Sequence, residues 1–154
     1  TGEDTLSLHD ALPIYITFHE FKIGGSCTLK SSNSDVATVV GAGVTLHEAL
    51  KAYEQLQKEG INIRVIDLYS IKPLDVETLN KAVEETKNIV VVEDHYAEGG
   101  IYEAVAGALA SVTSDRLKVT SLAVRKMPRS GKPEELLAYE EIDANAIIKA
   151  IKIL

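Results

Sequence analysis

Three short stretches hold residues whose types and spacing could do chemistry. The first is Gly41-Ala42-Gly43-Val44-Thr45, which lies between an apolar run and an amphipathic one. A turn of this kind presents backbone N–H groups at a helix N-terminus and favours a bound anion. Gly41, Gly43 and Thr45 are therefore candidate anion-binding residues. The dinucleotide fingerprint would place a third glycine three residues after Gly43. Leu46 stands there instead, and no Walker lysine is present. The plainer reading, that these glycines allow a tight turn and close helix–strand packing, is preferred.

The second stretch is Glu93-Asp94-His95, at the end of an apolar run and just before Gly99-Gly100. Ligand sites in open parallel sheets collect at the C-terminal ends of strands. A histidine beside an aspartate could act as a general base. Adjacent strand residues point to opposite faces, however, so Asp94 is poorly placed to orient His95. A polar loop that caps the next helix or packs on a partner is the simpler expectation. The third stretch, Ser130-Gly131-Lys132, is basic and glycine-bearing and could touch a phosphate, but such loops are more often solvated connections.

Other chemistries lack their residues. His9, His19, His47 and His95 do not pair with one another or with Cys27 at a metal-ligand spacing. The Gly-x-Ser-x-Gly elbow of a serine hydrolase is absent. No catalytic, cofactor-binding or metal-ligating residue is assigned. The net charge of −7 argues against a nucleic-acid surface, which needs a basic stripe. No apolar run approaches the length of a membrane span. One cysteine excludes an internal disulfide and fits a reducing, cytoplasmic setting.

The elements that must position these stretches alternate. Cys27 to Lys30 reads as a strand, and Val36 to Val40 is a continuous apolar run suited to a strand buried on both faces. Thr45 and Glu48 have capping-box spacing. Leu46, Ala49, Leu50, Tyr53 and Leu56 then recur at helical intervals, and Gly60 can end that helix. Ile61 to Leu68, Ile89 to Val92 and Leu117 to Val124 read as further strands. Between them, Pro73 and Asp75 open a helix carrying Leu79, Ala82 and Val83, and Gly99-Gly100 precedes one carrying Ile101, Val105 and Leu109. Pro133 suits the first position of a short helix, and Asp143 can cap a last one. Alternation of this kind indicates a parallel α/β sheet with helices on both faces, with the Cys27 segment as an extra edge strand. Residues 1–13 have no hydrophobic period and are expected to form a non-native or disordered tail. Residues 14–34 are expected to be a linker and the edge strand, and residues 35–154 the α/β domain.

Four segments in order, VVGAGVTLHEAL, INIRVIDLYSIKPLD, VVEDHYAEGGIYEAV and PRSGKPEELL, resemble the C-terminal domain of transketolases. The last is similar to the animal-type enzymes and the transketolase-like proteins. The resemblance implies a three-layer α/β/α sandwich, mainly parallel with one antiparallel edge strand. It implies a parent enzyme that moves two-carbon ketol units between sugar phosphates as a homodimer, using thiamine diphosphate and magnesium. The family's diphosphate–metal motif and its cofactor-activating glutamate lie in other domains and have no match here. The expectation is a domain without catalysis or cofactor of its own, which packs on the remaining domains and on a second subunit. Asp94, His95, Tyr96, Glu98, Gly99, Gly100 and Ile101 are the candidate interface. Residues 1–13 depart from the family, and TGEDTLSLHDALPI reads as translated sequencing-adapter DNA. The alternatives are a stand-alone α/β domain that binds a nucleotide or anion at the glycine turn, or the C-terminal domain of another thiamine enzyme. A 2-oxoacid dehydrogenase β subunit and deoxyxylulose-phosphate synthase belong to that last class.

Overall fold

The computed structural model describes residues 21–110 and 117–154. The expected tail at 1–13, and the linker as far as residue 20, lie outside the described residues. Along the chain the elements are β1 (Cys27–Lys30), β2 (Thr38–Gly41), α1 (Val44–Lys58), β3 (Arg64–Asp67), α2 (Val76–Thr86), β4 (Asn88–Tyr96), α3 (Ile101–Leu109), β5 (Lys118–Val124), α4 (Pro133–Tyr139) and α5 (Ala144–Lys152).

The strands form one sheet in the order β1-β3-β2-β4-β5. β2 runs parallel to both β3 and β4, and β4 runs parallel to β5. β1 is the antiparallel edge, pairing Cys27 with Asp67 and Thr28 with Ile66 before a shift of register. This is the mainly parallel sheet with one antiparallel edge strand that the family resemblance implied.

The core explains why the strands read as continuous apolar runs. Alternate residues of each strand face opposite sides of the sheet, and both sides are covered. Val39, Val65, Val90 and Val92 meet Leu46 and Leu56 of α1 and Ile147 and Ile151 of α5. Val40, Ile66, Ile89 and Val91 meet Leu79 and Val83 of α2 and Val105 and Leu109 of α3 on the other side. Each such large side chain, taken out of water, contributes roughly 1.5–3 kcal/mol before the entropy of ordering is counted.

Several expected boundaries hold. Gly60, with φ at 78°, follows the last turn of α1. The Asp75 carboxylate accepts the Thr78 N–H at 3.0 Å and caps α2. Asp143 accepts the Ala146 N–H at 2.9 Å and caps α5, and Pro133 opens α4.

The capping box at α1 does not form. Gly43 is the N-cap and makes no side-chain capping bond. Thr45 is fully buried, and its hydroxyl lies 2.9 Å from both the Ala42 and the Val92 carbonyl oxygens. Glu48 turns inward to accept the Ala144 N–H at 2.9 Å and the Lys51 ammonium at 2.6 Å. Each residue also holds a distant partner, Val92 for Thr45 and Ala144 for Glu48, that local spacing cannot reveal. β4 also runs past Val92 to Tyr96, so the acid–histidine run belongs to the strand itself.

Candidate functional site: the strand-end face

The C-terminal ends of the parallel strands converge on one face, and the candidate residues sit there. Gly41 closes β2 opposite Asp67 of β3. A Cβ at Gly41 would stand 3.3 Å from the Leu46 backbone nitrogen, so this is the glycine that permits close helix–strand packing. Gly43 is needed for its backbone instead: its φ is 59°, yet a Cβ there would meet nothing within 4 Å. Thr45 is fully buried, and its single hydroxyl proton is shared between two carbonyls. Of the three anion-turn residues, only the backbone around Gly43 is open to a ligand.

In β4, exposure changes abruptly after Glu93. Asp94, His95 and Tyr96 are exposed, whereas Glu93 is 1% exposed. The Glu93 carboxylate accepts the Ile101 N–H at 2.5 Å and the Tyr102 N–H at 3.1 Å. It therefore caps α3 from a neighbouring strand, where the positive end of the helix dipole favours a carboxylate. Gly100 has to be glycine because its Cβ would overlap that carboxylate. Glu103 similarly accepts the Gly99 N–H at 2.9 Å.

His95 is oriented by backbone, not by Asp94. Its Nδ1 lies 2.8 Å from the Tyr96 carbonyl oxygen, which can only accept, so Nδ1 carries the proton in this bond. The imidazole and the Tyr96 ring meet edge to face at 6.3 Å. An aspartate–histidine dyad is not assembled.

One candidate interface residue is corrected. Ile101 is 8% exposed and belongs to the core cluster beneath α3, because the first turn of that helix directs it onto the sheet. Asp94, His95, Tyr96, Glu98 and Gly99 remain exposed, with Gly100 half-buried.

The expectation that the Glu93-Asp94-His95 stretch caps the next helix holds through Glu93, although from within β4 rather than from a loop. One feature of this face escaped the sequence, a set of exposed apolar side chains. Val44, Ile71, Val76 and Met127 follow the strand ends, with Tyr96 at 51% exposure among them. Phe21 and Ile23 emerge at the same end, where the Phe21 ring packs edge to face on Tyr69 at 4.8 Å. Among the described residues, no group of three or more His, Cys, Asp or Glu could hold a metal ion. No helix among them is long and apolar enough to cross a membrane.

Residues 25–147 match the family model described as "Transketolase, C-terminal domain". The chain is 50% identical over 140 residues to human transketolase, covering 90% of this chain and 22% of that protein. It is 48% identical over 144 residues to transketolase-like protein 1 of Macaca fascicularis, covering 93% of this chain and 24% of the relative. It thus spans about a fifth to a quarter of the curated relatives it matches. Among solved structures, a split-gene transketolase described as an inactive beta4 tetramer superposes with a TM-score of 0.80 at 30% identity, covering 88% of this chain and 43% of that one. Transketolase from Campylobacter jejuni superposes at 0.61 and 15% identity, over 85% of this chain and 19% of that one, a likeness of fold. With the family model matching most of its length, the chain belongs to the transketolase C-terminal domain family.

Proposed function

We propose that this domain is the assembly module of a transketolase, and that it docks the rest of the enzyme and a second subunit through its strand-end face. The observation that carries this reading is the placement of exposed Val44, Ile71, Val76, Tyr96 and Met127 at that one end of the sheet, with exposed Asp94, His95 and Glu98 lying among them at and after the end of β4. Exposed apolar side chains gathered at one end of a sheet and interspersed with polar ones mark an interaction surface rather than a free monomer surface. The chain before Gly24 enters at the same end, which puts the preceding domain within reach of it. The solved relative with a TM-score of 0.80 is itself described as a tetramer.

The parent enzyme moves two-carbon ketol units between sugar phosphates in the cytoplasm, with thiamine diphosphate and magnesium. The described residues do not fit that cofactor. Glu93 is committed to α3, Thr45 to the Ala42 and Val92 carbonyls, and no acidic cluster suited to a metal is assembled. Cofactor and chemistry belong to the other domains, and this domain contributes position and contact.

The decisive experiment places Tyr96→Ala at the matching position of a full-length transketolase and measures dimer dissociation by sedimentation. A weaker dimer, with the isolated domain as stable as before, is expected. An unchanged dimer removes the strand-end face from the assembly. Calorimetry of the 154-residue chain with thiamine diphosphate and magnesium should show no saturable heat; saturable binding would overturn the non-catalytic role.

A further inference from the structure

The chain carries a net charge of −7, yet the segment that joins β5 to α4 is basic. Arg125, Lys126, Arg129 and Lys132 lie on it, and no acidic residue stands between Val124 and Pro133. Every residue from Arg125 to Lys132 is exposed, and none belongs to a helix or a strand. The segment is pinned only at its ends. The Glu140 carboxylate accepts the Arg125 and Lys126 N–H groups at 3.1 and 3.0 Å, and Glu135 accepts the Lys132 N–H at 3.2 Å. Between these anchors, Met127 to Gly131 form no hydrogen bond with other described residues.

Ser130 sits in that unbonded stretch, with Arg129 before it and Lys132 two positions after. Other exposed serines differ. The Ser32 hydroxyl donates to Asp35 at 2.6 Å and lies 3.4 Å from that of Ser34. Ser31 has a cation on one side only, Lys30, and Asp35 on the other. The cations beside Ser130 are also weakly held. Lys126 is engaged by the Tyr139 carbonyl and by Glu141, but Arg129 and Lys132 form no ion pair with other described residues. The Arg129 guanidinium lies over the Tyr139 ring at 4.9 Å, and such a contact is weak at an exposed site.

We propose that Ser130 is a phosphorylation site for a protein kinase that reads basic residues on both sides of its serine. Such a kinase pairs the flanking cations of an extended segment with its own carboxylates. A loop without internal hydrogen bonds enters that groove with the domain still folded. In the transfer, the Ser130 Oγ bonds the γ-phosphorus of a nucleoside triphosphate as the bond to the β–γ bridging oxygen breaks. The nucleoside diphosphate leaves, and the hydroxyl proton passes to the kinase's catalytic base. The new group carries a charge of about −1.5 to −2 at neutral pH and three acceptor oxygens. Arg129 and Lys132 meet it with charge-assisted hydrogen bonds, which are stronger than the ring contact. The Arg129 guanidinium therefore leaves Tyr139, and the four positive charges of the loop are roughly halved.

The test incubates the folded 154-residue chain with ATP, magnesium and protein kinase C, a basic-directed enzyme, and separately with an acid-directed one, casein kinase 2. Peptide mapping by mass spectrometry should place one phosphate on Ser130 with the first enzyme. Ser130→Ala should abolish it, and Arg129→Ala with Lys132→Ala, both in the exposed loop, should slow it by about tenfold or more. NMR of the modified chain should show the Tyr139 ring and the Arg129 Nε–H shifted, whereas inorganic phosphate at the same concentration should leave both unmoved. No phosphate on the folded chain, or phosphate mainly on another serine, overturns the site. Equal labelling by casein kinase 2, or an unchanged rate without the two cations, overturns the recognition. Equal shifts with inorganic phosphate would make the loop a plain anion site, and a modified chain with Tyr139 and Arg129 unmoved overturns their capture of the phosphate.

Discussion

The Glu93 carboxylate occupies the space that a Cβ on Gly100 would fill, with its Cδ 2.6 Å from that position. Strand end and helix start are therefore fitted to each other as a pair. Gly100→Ala should displace the carboxylate from two backbone N–H groups and destabilise the domain by about 2–4 kcal/mol. Gly99→Ala, at a φ of 74° with open space around it, should cost only about 1 kcal/mol. Urea unfolding distinguishes the two. In a double-mutant cycle, Glu93→Ala should relieve much of the Gly100→Ala clash, so the two costs should fall short of additive by about 1 kcal/mol or more. Full additivity would mean that the two residues do not share this space.

Thr45 yields a prediction different from that of a helix cap. Its hydroxyl ties the β2–α1 turn to the end of β4 through the Val92 carbonyl. Thr45→Val keeps the volume and removes the bond, and should cost about 1–2 kcal/mol, whereas Thr45→Ser should retain most of the stability. An effect on α1 helicity alone, with the β4 amides exchanging as before, would contradict the tertiary role.

Asp75 should shape the acid limb of the stability curve. Burial alone would raise its carboxyl pKa, but hydrogen bonds from the Thr78 N–H, the Ser26 hydroxyl and the Thr78 hydroxyl outweigh it, and the pKa lies below the ordinary 3.8. A carboxyl whose folded pKa is depressed contributes stability that is fully present above the unfolded value and lost as pH falls through the folded one. Asp75→Ala should therefore cost about 1 kcal/mol near neutral pH and flatten the loss of stability below about pH 4. Parallel acid limbs for the two proteins would exclude this contribution.

Ile101 and Tyr96 should separate core from surface. Ile101→Asp buries an unpaired carboxylate under α3 and should destabilise the isolated domain by more than about 3 kcal/mol. Tyr96→Ala, at a half-exposed position, should stay within about 0.5 kcal/mol. Thermal unfolding of both variants is sufficient. A large loss on Tyr96→Ala would make that ring part of the domain's own packing.

Much of the fold was legible because it is punctuated locally. Asp75, Asp143, Pro133 and Gly60 act within a single turn of chain, and the apolar runs at Val39, Val65 and Val90 are bounded by such residues. The misreadings share the opposite cause. Thr45 and Glu48 have a local pattern that distant partners override, Glu48 bonding a residue 96 positions away. Ile101 reads both as an apolar position of the helix after Gly99-Gly100 and as a member of the candidate interface, and α3 turns it onto the sheet. The strand-end face was only half visible: its polar members stood together at 94–98, whereas Val44, Ile71, Val76 and Met127 are scattered along the sequence and meet only through strand order. The burial of Arg64, within the run read as a strand from Ile61 to Leu68, went unread because arginine is ordinarily solvated.

The bond from Glu48 to Ala144 joins the first helix to the last, and α5 brings Ile147 and Ile151 to a face of the sheet that α1 covers only in part. A growing polypeptide emerges one end first, so the early strands and helices must wait with that apolar face open until the final helix has been made. During that interval the nascent domain is the sticky species that chaperones hold. A ribosome stalled shortly before α5 would release a product with nearly all of its secondary structure and no closed core, suited to degradation rather than to assembly.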